Sequence, residues 1–243
     1  MKKVDYSKVV FDVVSAFNAV NNSVAFDKET DEGGTTNVFV KSCAYDKSIA
    51  YILKCPEELF NFGGDSCSFY DFKSFYSLFG LLNEPEIEED DENVNITLKQ
   101  GEQSIKFRLT DREMIKKEFN AVELEDADAS FELDDGMIKY FRQVIGNPAI
   151  AADRVSFKFT KDLLTYKIYN QKGSNTFTGT IETETSGEEN FEVVIPAETI
   201  LKVPVASYKA KAYENGVLNL NMVREDDIVV NVYVSSMDEE TEE

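Results

Sequence analysis

The chain has 243 residues with 46 acidic and 25 basic side chains, a formal net charge of −21, and no histidine. That length suits one large domain or two ordinary ones, each with its own core. Without histidine the commonest general base and the Ser-His and Cys-His nucleophile systems are missing, and so acidic a chain disfavours nucleic acid unless its basic residues are segregated.

Lys2 and Lys3 lead into Asp5 and a broken apolar pattern, a poor secretory signal. No apolar run approaches the roughly 18 residues of a spanning helix. A cytoplasmic protein with no membrane partner is expected. Over residues 5–21, Val9, Val10, Val13, Val14, Ala16, Phe17 and Val20 share one side of a helical wheel, with Lys8, Asp12, Ser15 and Ala19 opposite. The valines keep a strand open as the alternative. Strands follow at 37–44 and 48–54. Cys43, Cys55 and Cys67 lack the close pairs and the histidines of a zinc site and read as buried thiols. No metal or cofactor is expected.

Residues 70–82 predict a helix burying Phe72, Phe75, Tyr76, Phe79 and Leu82, with Lys73, Ser77 and Gly80 outside. After a turn signal at Asp91–Asn93, Val94–Leu98 and Ile105–Leu109 alternate as strands do. The stretch from Lys116 to Asp128 has acidic, linker-like composition. A third helix starts at an Asp134 or Asp135 cap and stops at Gly146 in a left-handed conformation. It buries Met137, Ile138, Phe141, Val144 and Ile145 and carries Lys139, Arg142 and Gln143 as an opposite stripe. Strands at 155–160, 163–170, 175–183 and 191–195 lead to a short helix at 196–203, ended by Pro204 and carrying Lys202. A strand at 207–213 precedes the hairpin 217–222 and 228–232, which opens after Glu214–Gly216.

Val94 to Ile105 and Val217 to Ile228 are the same eleven-residue step, each preceded by a helix. The repetition predicts an α+β protein of duplicated domains: an N-terminal domain at 1–115, a connector at 116–130, a C-terminal domain at 131–236 and a disordered acidic tail at 237–243. Gly33-Gly34 and Gly63-Gly64 read as turns, and no GxxxxGK[ST] or GxGxxG loop is present to cradle phosphate. The exposed helix faces are basic or small, although solvated charge is the ordinary explanation of any one such face.

With Tyr70–Phe79, the Lys202 to Lys209 helix–turn–strand step and this repeated order, the chain resembles the DNA sliding clamps over nearly its whole length. The likeness is greatest to the trimeric clamps of T-even-type bacteriophages; proliferating cell nuclear antigen shares the architecture. The resemblance implies a DNA-clamp fold, two repeated domains each with two helices packed on antiparallel sheets, assembling as a ring. It implies a non-enzymatic processivity factor that encircles duplex DNA without sequence preference. The partners it implies are a replicative DNA polymerase and an ATP-dependent clamp loader, in an infected bacterial cell if viral. Lys8, Lys73, Lys139, Arg142, Gln143 and Lys202 would face DNA. The homotrimer would close by pairing Ile105, Phe107 and Leu109 of one subunit with Thr176, Thr178 and Thr180 of the next. Phe119, Val122 and Leu124, with Val232 and Val234, would receive partner peptides; anchoring of the connector to the core is the competing role. An acidic protein-interaction module without DNA encirclement is the alternative from another class. A carboxylate hydrolase would need two converging acids, one with a raised pKa.

Overall fold

In this computed structural model, residues 2–115, 126–185, 190–224 and 226–236 are described. Period-two alternation becomes antiparallel strands, and the apolar stripes become short helices lying on them. The first half runs β1 (Lys2–Tyr6), α1 (Lys8–Ser15), β2 (Val24–Thr30), β3 (Thr36–Cys43), β4 (Ile49–Pro56), β5 (Phe60–Asn61) and β6 (Ser66–Phe69), then α2 (Phe72–Phe79), β7 (Glu86–Glu89), β8 (Asn95–Gln100) and β9 (Gln103–Arg108). The second half runs β10 (Ala129–Leu133), α3 (Asp135–Ile145), β11 (Arg154–Thr160), β12 (Leu163–Tyr169), β13 (Thr176–Glu182), β14 (Glu184–Thr185) and β15 (Phe191–Pro196), then α4 (Ala197–Lys202), β16 (Tyr208–Tyr213), β17 (Val217–Met222) and β18 (Val229–Ser235). The two halves have one order: each strand of the first has its counterpart nine strands later.

The sheets repeat as well. The first half orders its strands β5-β1-β7-β8-β9 and β4-β3-β2-β6; the second orders them β14-β10-β16-β17-β18 and β13-β12-β11-β15. Two compact units result, one of Met1–Ala44, Tyr51–Asn120 and Arg224–Val230, the other of Tyr45–Ala50, Ala121–Val223 and Asn231–Glu243. β10 starts at Ala129, within the stretch expected to be connector.

In the first unit, Phe11 is completely buried, its ring 5.2 Å from those of Phe60 and Phe79 and 5.6 Å from Phe75. The wheel over residues 5–21 misses it. β1 takes Lys2–Tyr6 into pairing with β5 and β7, so α1 begins only at Lys8, and a 3-10 turn at Ala16–Ala19 changes the phase. Val10, Phe11, Val14 and Phe17 go inward and Val9 is 41% exposed. In α2, Phe72, Phe75 and Phe79 are buried as expected and Lys73, Ser77 and Gly80 are exposed.

In the second unit, Asp134 caps α3 by accepting the Met137 N–H at 2.6 Å. Gly146 is right-handed, φ −74°, and donates to the Arg142 carbonyl, so the left-handed stop does not form. Phe141 packs on Tyr166 of β12, ring centroids 4.9 Å apart. The Tyr166 ring crosses β13 at Gly179, where a Cβ would lie 2.2 Å from the tyrosine oxygen. Only glycine fits there. The shared eleven-residue step conceals different hairpins. Gln100 pairs with Gln103 around Gly101 at φ +58°, whereas β17 and β18 join through a longer loop beyond the Asn221–Asn231 pair.

Candidate nucleic-acid interface

Two helices of each unit lie side by side on the sheet, and their outward faces hold the residues singled out by sequence. In the first unit Asp12 of α1 accepts both the Lys8 ammonium, at 2.9 Å, and the Tyr76 hydroxyl of α2, at 2.7 Å. The hydrogen bond to Asp12 holds the pKa of exposed Lys8 above its ordinary value and raises that of Tyr76 too. Asp71 caps α2, accepting the Ser74 N–H at 3.0 Å and Asn22 at 2.9 Å; these bonds, with the Ser74 hydroxyl foremost, hold its carboxyl below the usual range. Lys73 is exposed on the first turn of α2 and forms no ion pair with a described residue.

In the second unit Lys139 is exposed and bonded to Asp135 at 2.6 Å, an i,i+4 pair that lowers the Asp135 pKa. Gln143 is exposed. Lys202 lies 3.7 Å from Glu198 with its side chain 26% exposed. Arg142 departs from the expected stripe. Its Nη2 donates to the carbonyls of Leu201, at 2.9 Å, and Val203, at 2.5 Å, and its Nε is buried without a partner. A guanidinium at a helix C-terminus satisfies carbonyls that have no intrahelical donor and opposes the helix dipole. Arg142 joins α3 to α4 and does not project into solvent. Sequence spacing assigns a face but not what a long side chain reaches. The helices α1–α4 thus carry Lys8, Lys73, Lys139, Arg142 and Lys202 against Asp12, Asp135 and Glu198, a surplus of cations in a chain of net charge −21.

The edge residues divide. β9 ends one sheet and β13 another, each with one neighbour. Thr176, Thr178 and Thr180 are exposed along β13. Ile105 and Phe107 are half-buried, and the Phe107 ring lies 5.5 Å from that of Phe75. Leu109, just past β9, is 7% exposed and belongs to the core, because its N–H is drawn back to the Val94 carbonyl at 2.8 Å. Val232 and Val234 face inward on β18 and are completely buried, so they present nothing to a partner peptide. Phe119, Val122 and Leu124 lie outside the described residues.

Sequence reasoning missed a second group of cations. Arg154 and Lys158 on β11 and Lys167 on β12 share the sheet face turned away from Phe157 and Tyr166, hence away from α3. Their signal was the two-residue alternation of Arg154-Ser156-Lys158 and Thr165-Lys167-Tyr169. Cations are therefore not confined to the helix faces.

Elsewhere the chemistry is quiet. Burial pushes the Cys55 thiol up to about 12 and holds the Cys67 thiol well above its ordinary value. The carboxylates with shifted pKa, at Asp46, Asp71, Asp90, Asp135 and Asp226, are all held down by hydrogen bonds, opposite to what a general acid requires. Among the described residues no helix is long and apolar enough to cross a membrane.

No family model matches the chain, and no curated protein matches it. Solved structures do. The chain is similar to PCNA from A. fulgidus, solved with the C-terminal region of FEN-1 bound, at 14% identity, 98% coverage of each chain and a TM-score of 0.72. PCNA from Thermococcus kodakaraensis is similar at 13% identity, covering 97% of this chain and 99% of the other, TM-score 0.71. Proliferating cellular nuclear antigen from Entamoeba histolytica is similar at 13% identity, 98% coverage of each and a TM-score of 0.72. At these identities the likeness is one of fold: an α+β DNA-clamp fold of two repeated domains, each with two helices on antiparallel sheets.

Proposed function

We propose that this chain is one subunit of a sliding clamp, a ring that encircles duplex DNA and tethers a replicative polymerase by topology. The observation that carries the reading is the internal repeat, with β9 and β13 among its open sheet edges. β9 and β13 are unpaired sheet edges, and exposed edges are liabilities that proteins cover. Their counterparts in the other half are β18 and β4. Pairing of β9 of one copy with β13 of the next would be head-to-tail and would close by rotation.

Two repeated domains per chain favour a homotrimer. The full-length likeness to PCNA supports the clamp; closer kinship to the T-even-type phage clamps, the cytoplasm of an infected bacterium, the ATP-dependent loader and non-enzymatic action belong to the same proposal. Lys8, Lys73, Lys139, Gln143 and Lys202 would face the DNA, contacting phosphates that carry no base identity. Three of those lysines already hold an i,i+4 carboxylate, so phosphate must compete for them, which suits a ring that slides. Partner peptides would dock by the connector residues Phe119, Val122 and Leu124.

The solution mass of the purified protein tests the assembly: three times 27.5 kDa is expected. Retention on circular but not linear duplex after loading tests encirclement. One observation favours the second reading, an acidic interaction module: the helix cations are mostly paired within the chain. That reading predicts a monomer of 27.5 kDa.

A further inference from the structure

Arg154, Lys158 and Lys167 gather on one sheet face without a carboxylate partner. Several basic side chains elsewhere are drawn into ion pairs: Lys28 with Glu57, Lys41 with Glu29, Lys99 with Glu88 and Arg112 with Asp27. The counterpart face of the first unit holds two of these pairs, Lys41–Glu29 on β3 and β2 and Arg112–Asp27 onto β2. On the β11–β12 face none of the three cations has an ion-pair partner among the described residues, although acids outnumber bases 46 to 25. Arg154 donates only to the neighbouring Asp153 carbonyl at 3.2 Å, and Lys167 sits over the Tyr169 ring at 4.5 Å. The carboxylate opposite Lys158 is Glu192, and it is taken by the Ser156 hydroxyl.

The registers define the surface. Ser156 lies opposite Lys167 and Lys158 opposite Thr165; across the next ladder Lys167 faces Thr178 and Thr165 faces Thr180. Lys158 and Lys167 are therefore diagonal neighbours, about 7–8 Å apart at the backbone. Threonine hydroxyls continue the row to the sheet edge, and the partly exposed Tyr169 lies beside it.

We propose that this open sheet face binds single-stranded nucleic acid. Lysine and arginine without ion pairs, beside threonine hydroxyls and outnumbering the Glu192 and Glu182 carboxylates of the same face, provide the donors that phosphates take. A flat face with an aromatic ring suits unstacked bases and offers no element to enter a duplex groove. An acidic peptide would find the same cations but no use for the ring. The face lies within the second unit, so it stands without the ring. Under the clamp reading, pairing of β9 with β13 brings Lys106 and Arg108, exposed on β9, to extend it.

The test is fluorescence anisotropy of a labelled oligothymidylate of about a dozen nucleotides with the full chain across a salt series. The double variant Lys158→Ser, Lys167→Ser should bind several-fold more weakly. Losing two phosphate contacts should flatten the slope of log affinity against log salt by about 1.4. Tyr169→Leu should weaken binding without changing the slope. Lys209→Ser, exposed on β16 in a different sheet, should leave both unchanged. The proposal fails if the double variant binds as wild type does, if Lys209→Ser abolishes binding, or if polyglutamate displaces the oligonucleotide at equal charge concentration. A monomeric mass would refute the ring and leave this result intact.

Discussion

Arg142 on α3 donates from one nitrogen to the carbonyl of Leu201, 2.9 Å away on α4, and thereby ties the two helices of the second unit together. The same nitrogen reaches Val203, just past the helix. Arg142→Met keeps the aliphatic stem and removes these bonds to a charged donor, which should cost about 2 kcal/mol. Denaturant unfolding should show a lower midpoint with an unchanged slope. Arg142→Lys should not restore it, because an ammonium cannot present the planar fork.

Lys73 and Lys139 are exposed and external to such packing. Reversing both to glutamate should shorten the tracts made by a tethered polymerase while leaving the solution mass unchanged. Wild-type tract lengths would remove both lysines from the DNA-facing set.

Proline substitutions along Thr176–Thr180 separate subunit pairing from folding. At alternate positions of β13 the N–H points away from β12, where proline leaves the sheet intact but blocks a further strand. Those variants should be monomers by mass with near wild-type thermal stability. A trimer at every position would exclude β13 from the joint.

Gly63 donates its N–H to Glu89, a completely buried carboxylate, at 2.6 Å. A Cβ at residue 63 would lie 2.8 Å from that oxygen and 3.2 Å from the Asn93 side-chain oxygen. Gly63→Ala should therefore destabilise the fold by about 1–3 kcal/mol, the range of an overpacked site. Chemical denaturation of the variant checks this directly.

Asp71 caps α2 and its carboxyl is held below the usual range by the Ser74 and Asn22 hydrogen bonds. Its contribution is complete above the unfolded carboxylate value, about 3.9, and fades as pH falls through the lower folded one. Asp71→Ala should cost about 1 kcal/mol at neutral pH. The difference from wild type should shrink below pH 4, measured by thermal melts across that range.

Much of this architecture can be read along the chain, because helices and half-buried strands write their periods into local sequence. α2, α3, α4 and strands such as β8, β11, β12 and β17 fall where alternation and capping put them. β1, β2, β6, β7 and β10 do not announce themselves. Lys2–Tyr6 and Glu86–Glu89 are mostly polar, and they are strands because they pair with each other and with β5 and β8. The start of α1 was misjudged for the same reason: what precedes it is decided by a partner some eighty residues away.

At the candidate interface, sequence alone determined which residues are cationic, which of them ride on helices and that the unit occurs twice. These are properties of residue type and spacing. Tertiary structure alone decided that Arg142 bonds to α4, that Val232, Val234 and Leu109 are core, that β9 and β13 are edges, and that Arg154, Lys158 and Lys167 share an ion-pair-free face. The physical reason is reach: a period of two or 3.6 residues fixes a direction from the backbone, while the partner met in that direction comes from a distant part of the chain.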